Sequence, residues 1–212
     1  MRPLNNYISS KNYFAGNFFI GDTTNANCTL GLTINQEAND NEIFSLKSSD
    51  IAHGITDSTE TDTYFSILKD TAVSGGAILR GFTEATKGLF LQGYGTTADT
   101  TISTTGRGPV CIVGSLKSGT GATTYADGDN LVTFNNHGYA RIIIKGNGTF
   151  LPTTDVASDL GSSTYRWANI YTADLHLKND EGDWTIQEGQ DDLFLINNKT
   201  KKRYSFMLKE IE

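Results

Sequence analysis

The sequence predicts an all-β chain of short antiparallel strands, arranged as a sandwich, a barrel or a stacked β-prism, with one short helical turn near residues 162–171. Three observations predict it. Apolar residues supply 37% of the 212 positions and charged residues only 19%, while 22 glycines join Ser, Thr, Asn and Asp in a turn-rich remainder. The apolar runs are short and regular, each bounded by Gly, Asn, Asp or Ser. No stretch outside residues 162–171 sustains a helical period. With 3 prolines and 10% aromatics the chain does not read as a disordered linker.

Residues 1–25 form a lead in which Tyr7, Tyr13, Phe14, Phe18 and Phe19 alternate with Asn, Ser and Gly. So much aromatic area in a lead needs cover. Either the lead attaches to a partner or it supplies the first strand of the domain that follows. Residues 26–145 form a β-rich domain with strands expected at 29–34, 42–47, 63–69, 76–84, 88–94, 109–116, 131–135 and 139–145. Asn136, His137 and Gly138 join the last two as a hairpin, with Gly138 suited to the left-handed position.

Residues 146–180 form a connector that opens on Gly146, Asn147, Gly148 and Pro152. Within it Ser162 or Ser163 is placed to cap a turn of helix, and Trp167, Ile170 and Tyr171 follow at i, i+3, i+4 spacing on one face. That face packs in a local mini-core or against a neighbouring subunit, and the second reading is favoured. Leu175 and Leu177 then alternate with Asp174, His176 and Lys178, the pattern of a strand that is apolar on one side. Residues 181–212 form a C-terminal segment with strands expected at 184–187, 193–196 and 204–208. It is expected to act as a self-association or tip segment. So few residues make a poor independent core. Self-association covers Trp184, Ile186, Leu193 and Leu195 and protects strand edges at the same time.

Chemistry is sparse. No Gly-x-Ser-x-Gly elbow, His-Glu-x-x-His, phosphate loop or dinucleotide fingerprint occurs, so no catalytic residue, cofactor or metal is assigned. His53, His137 and His176 are the imidazoles, each expected in a turn or on a polar strand face. Asp50, His53, Asp57, Glu60 and Asp62 make a dense acidic loop, read as solvated because its spacing matches no cation-ligand frame. Asp127 with Asp129, or Asp191 with Asp192, supply paired carboxylates of the kind that glycan hydrolysis requires. Neighbours on a strand point to opposite faces, and Asp-Gly-Asp reads as a turn. Tyr94, Tyr125 and Tyr139 offer stacking surfaces for sugars but are not nominated as a site.

A net charge of -7 speaks against a nucleic-acid partner. Lys199, Lys201, Lys202 and Arg203 form the one basic cluster and read as a solvated hairpin loop. No apolar run is long enough for membrane insertion, and residues 1–10 lack a secretory h-region. Cys28 and Cys111 are far apart, without metal-ligand spacing, and are expected as buried free thiols of a protein assembled in a reducing cytoplasm.

The segment DLGSSTYRWANIY at 159–171 resembles the DLGSSxxRWxxIY element found in the distal parts of bacteriophage tail-fibre and tail-spike proteins. Residues 31–64, GLTINQEANDNEIFSLKSSDIAHGITDSTETDTY, are similar to a module of phage and environmental viral structural proteins, and the likeness continues through LQGYGTTADTT and KSGTGA. The resemblance implies a β-prism-like homotrimeric fibre on the virion, assembled in the host cytoplasm, which contacts other virion proteins and a host cell-surface glycan or protein receptor. It implies a non-enzymatic tail fibre for host attachment. A polysaccharide-degrading tail spike and a head or baseplate decoration fibre are the alternatives. Many related fibres continue into a self-cleaving chaperone domain, whereas this sequence closes on YSFMLKEIE, so Ser-Lys autoproteolysis is not expected.

The trimer interface expected from these readings comprises Trp167, Ile170, Tyr171, Leu175, Leu177, Trp184, Ile186, Leu193 and Leu195.

Overall fold

A computed structural model describes residues 16–206, which contain fourteen strands and no helix. The all-β expectation holds. The strands form five small sheets within two compact units, Met1–Ile112 and Val113–Glu212.

In the first unit β1 (Phe18–Ile20) pairs in parallel with β2 (Leu32–Ile34), Phe18 lying opposite Leu32. The Asn17 side chain ties the pair by donating to the Cys28 carbonyl at 2.7 Å and accepting from the Gly31 amide at 3.0 Å. The lead therefore contributes a strand to the domain beyond residue 25. Tyr7, Tyr13 and Phe14 lie outside the described residues. An antiparallel meander follows, β3 (Glu42–Lys47), β4 (Thr63–Thr71) and β5 (Gly75–Gly81), with β4 central. Gly75 and Gly76, at φ of 78° and 84°, make the sharp return between β4 and β5 that a side chain would strain.

In the second unit β6 (Leu116–Ser118) and β7 (Gly121–Thr123) form a small hairpin. β8 (Asn130–Asn136), β9 (Tyr139–Lys145) and β10 (Phe150–Pro152) form a sheet with β9 central. The β8–β9 hairpin is the one expected, but its left-handed residue is His137, at φ 54°, rather than Gly138. β11 (Asp174–Lys178), β12 (Asp183–Glu188), β13 (Leu193–Asn197) and β14 (Arg203–Ser205) make a four-stranded meander. Leu208, expected at the end of the last strand, lies outside the described residues.

Strand pairing crosses the boundaries expected at 145 and 180, because β10 pairs with β9 and β11 with β12. The strands expected at 88–94 and across most of 109–116 do not form, and Leu116 alone of them begins a strand. The expected helical turn is also absent: residues 162–171 are irregular. Ser162 does act as a cap, its hydroxyl accepting the Tyr165 amide at 3.0 Å. The backbone then reverses, with the Ser162 amide donating to the Tyr165 carbonyl at 2.9 Å and Gly161 at φ 88°, so no helical ladder starts.

Among the described residues one apolar side chain, Phe82 at 8% exposure, is buried. The polar Thr63, Ser66 and Thr185 are as deep or deeper. Neither unit encloses the apolar interior of a sandwich or closed barrel.

Candidate functional site

Directly paired residues of an antiparallel sheet project from the same face, so strand register decides which side chains stand together. In the four-stranded sheet one row is Leu175, Ile186, Leu195 and Tyr204, and the next joins Leu177 to Trp184. Leu193 lies two residues before Leu195 and shares its side. Leu175, Leu177, Trp184, Ile186, Leu193 and Leu195, six residues expected at an interface, thus occupy a single face. None is buried, and Leu177 is 48% exposed. The Trp184 and Tyr204 rings lie 6.0 Å apart on this face, a tilted aromatic pair.

Trp167, Ile170 and Tyr171 stand apart from that sheet in the irregular segment, exposed by 63%, 68% and 94%. They form no mini-core within the chain.

The same construction recurs in the other sheets. Val132 pairs with Ile144 and Ile144 with Phe150, while Phe134 pairs with Ile142 and Ile142 with Pro152, which gives an apolar face. In the first unit Phe44, Ile67 and Leu79 form one row and Leu46 and Phe65 the next. Phe44, Leu46, Leu79, Phe134 and Phe150 are all exposed. Each larger sheet therefore presents one face that a single chain leaves in water.

The reverse faces mix polar and apolar side chains: Ile196 pairs with Thr185 and Arg203, Phe194 with Gln187 and Ser205, Ile143 with Thr133 and Leu151, and Leu68 with Ile78. On the four-stranded sheet the Asn198 amide donates to Asp183 at 2.7 Å and to the Thr185 hydroxyl at 2.9 Å, and Thr185 meets His176 Nδ1 at 3.0 Å. The Asn198 bond, against a smaller desolvation, and then Lys178 at 3.4 Å hold the Asp183 carboxyl below its usual range. Arg203 lies 3.3 Å over the Phe194 ring. The cluster of Lys199, Lys201, Lys202 and Arg203 is exposed on and beside the β13–β14 turn, as expected, with Lys201 at φ 60°.

The acidic loop has a structural organiser. His53 is half-buried rather than on a polar surface: its ring stacks on Phe82 at 5.2 Å, and its Nε2 meets the Thr63 carbonyl at 2.8 Å. The Ile55 amide donates to its Nδ1 at 2.9 Å. Lys47 bonds Glu60 and, at 3.0 Å, Asp62, and these two carboxylates hold its ammonium above the usual range. Sequence reasoning missed this role because nothing local links His53 to Phe82.

Among the described residues no three His, Cys, Asp or Glu side chains converge on a metal position. Asp129 accepts from the Ala126 amide at 3.0 Å, which closes the Asp127-Gly128-Asp129 turn. Asp191 and Asp192 lie in the β12–β13 turn, where the Gly189 amide donates to the Asp192 carbonyl at 2.7 Å. Tyr94 and Tyr139 are exposed and Tyr125 is half-buried. Both thiols are free, yet only Cys28 is half-buried; Cys111 is exposed because the strand expected around it has no partner. Among the described residues no helix is long and apolar enough to cross a membrane. The chain matches no family model, no curated protein and no solved structure.

Proposed function

We propose that this protein is a structural fibre subunit of a bacteriophage virion, a non-enzymatic homotrimer that serves host-surface attachment. The observation that carries the reading is the apolar face on each larger sheet, left uncovered by its own chain. Apolar faces of this extent are covered in a working protein. Three copies arranged with these faces inward form a prism whose core is made between chains. The resemblance of residues 159–171 to the tail-fibre element supplies the number three and the virion setting. Its partners are then two sister chains, other virion proteins, and a glycan or protein receptor on the host surface.

Light scattering on the purified chain at micromolar concentration is expected to return three times the 23.1 kDa protomer. A well-folded monomer overturns the reading. Incubation with host-surface polysaccharide is expected to show binding without new reducing ends; their release would make the protein a degrading spike.

A further inference from the structure

Two stretches of the first unit, residues 89–94 and 110–112, carry strand-like composition without strand partners. Their sequences, LFLQGY and VCI, are rich in the β-branched and aromatic residues that sheets favour. Leu89, Phe90, Leu91, Val110 and Ile112 are nonetheless exposed. No backbone amide or carbonyl in either stretch takes part in a ladder, turn or side-chain hydrogen bond. Residues 99–107, between them, are by contrast closed on themselves. Asp99 accepts the Thr101 amide at 2.9 Å and the Arg107 amide at 2.7 Å.

The two stretches touch without pairing. A Cβ on Gly93 would lie 2.3 Å from the Pro109 carbonyl oxygen, so the backbones meet at a point that only glycine permits. Covering the apolar side chains also removes water from the adjacent amides and carbonyls, and those groups must then find partners. Among the described residues none bonds to them.

We propose that residues 89–94 and 110–112 are strands completed in trans, their backbone hydrogen bonds made to a second copy of this chain. The inference rests on the homotrimer reading and names the segments where the copies join. A sister chain is the fitting occupant because the three larger sheets of the same chain also leave an apolar face exposed, and a copy brings matched apolar area to cover them. The uncovered apolar area recurs in both units, so the covering partner must carry matched apolar area over a matched length. A copy of the same chain does so by construction.

Hydrogen exchange read at single amides, on protein whose mass is measured in the same buffer, tests this. Amides of residues 89–94 and 110–112 are expected to exchange at least about 100-fold more slowly than free peptide in the assembled protein. Exchange at free-peptide rates in a protein that weighs as a trimer overturns the trans strands and leaves the trimer standing. A folded monomer overturns both. Ile112→Pro supplies a second readout, since its amide bonds nothing within the chain: assembly is expected to weaken at least tenfold with the far-ultraviolet β signal retained. Unchanged assembly counts against the proposal.

Discussion

The side-chain amide of Asn198 donates to the hydroxyl of Thr185 at 2.9 Å, joining the β13–β14 turn to β12, the neighbour of β13 in the sheet. Thr185 is 4% exposed, and its hydroxyl also shares a hydrogen bond with His176 Nδ1 at 3.0 Å. The relay spans three elements of a sheet that has no apolar interior of its own.

Asn198→Ala leaves the buried Thr185 hydroxyl without its donor, and this loss is expected to destabilise the second unit by about 1–2 kcal/mol. Thr185→Val removes both hydroxyl bonds while filling the same space and is expected to cost about as much or less. Urea midpoints of the two variants and their double mutant check the coupling, which should make the double less damaging than the sum.

Asp183 is held below its usual range by the Asn198 amide first and by Lys178. A carboxyl depressed in the fold contributes stability that is fully present above its unfolded value, near 3.8, and is lost as pH falls through the lower folded value. Asp22 and Asp99, depressed mainly by backbone and side-chain hydrogen bonds, act in the same window. Urea midpoints measured from pH 6 down to pH 2 are expected to drop, and Asp183→Asn is expected to reduce the drop without removing it.

His53 accepts from the Ile55 amide through Nδ1, so Nε2 carries the proton that meets the Thr63 carbonyl. Nitrogen chemical shifts are expected to report that tautomer. His53→Ala strips the stacking partner from Phe82 and unties the loop at residues 48–62, with an expected cost of about 1–3 kcal/mol in thermal or urea unfolding.

Much of the fold was legible because strand alternation is local. β3 and β9 fall where EIFSLK and YARIIIK place them, and the β8–β9 turn follows from Asn-His-Gly. What failed depended on partners. Residues 88–94 and 109–115 have strand composition, but a ladder needs a second strand and none pairs with them among the described residues. Trp167, Ile170 and Tyr171 have helical spacing, but helix propagation needs a covered face, and here the Ser162 to Tyr165 turn reverses the chain first. The parallel β1–β2 pair escaped notice because three-residue strands carry little pattern and the Asn17 clamp bonds across the intervening loop. Of the residues expected at an interface, those on β11, β12 and β13 share one face, as simple alternation predicts.

Gly81 meets the Gly88 backbone so closely that an added Cβ would lie 2.1 Å from the Gly88 oxygen. Neither backbone yields cheaply, so Gly81→Ala is expected to destabilise the first unit by about 2–4 kcal/mol. Gly128, with nothing within 4 Å of its added Cβ, provides the control, and Gly128→Ala is expected to change unfolding by less than about 1 kcal/mol.

The two faces of the four-stranded sheet make opposite predictions for one added charge. Leu177 on β11 and Ser205 on β14 both lie on edge strands and both are exposed, but Leu177 shares the face of Trp184 whereas Ser205, paired with Phe194, lies on the other. Neither position fills an interior, so Asp at either leaves the folded chain intact by circular dichroism. If the apolar face meets sister chains, Leu177→Asp buries an unpaired carboxylate in every copy and is expected to weaken assembly at least tenfold, reducing the scattering mass towards one chain at micromolar concentration. Ser205→Asp is expected to leave the mass unchanged. The reverse result would assign the face of Phe194 and Ser205 to the contact, and equal masses for both variants would remove this sheet from the interface.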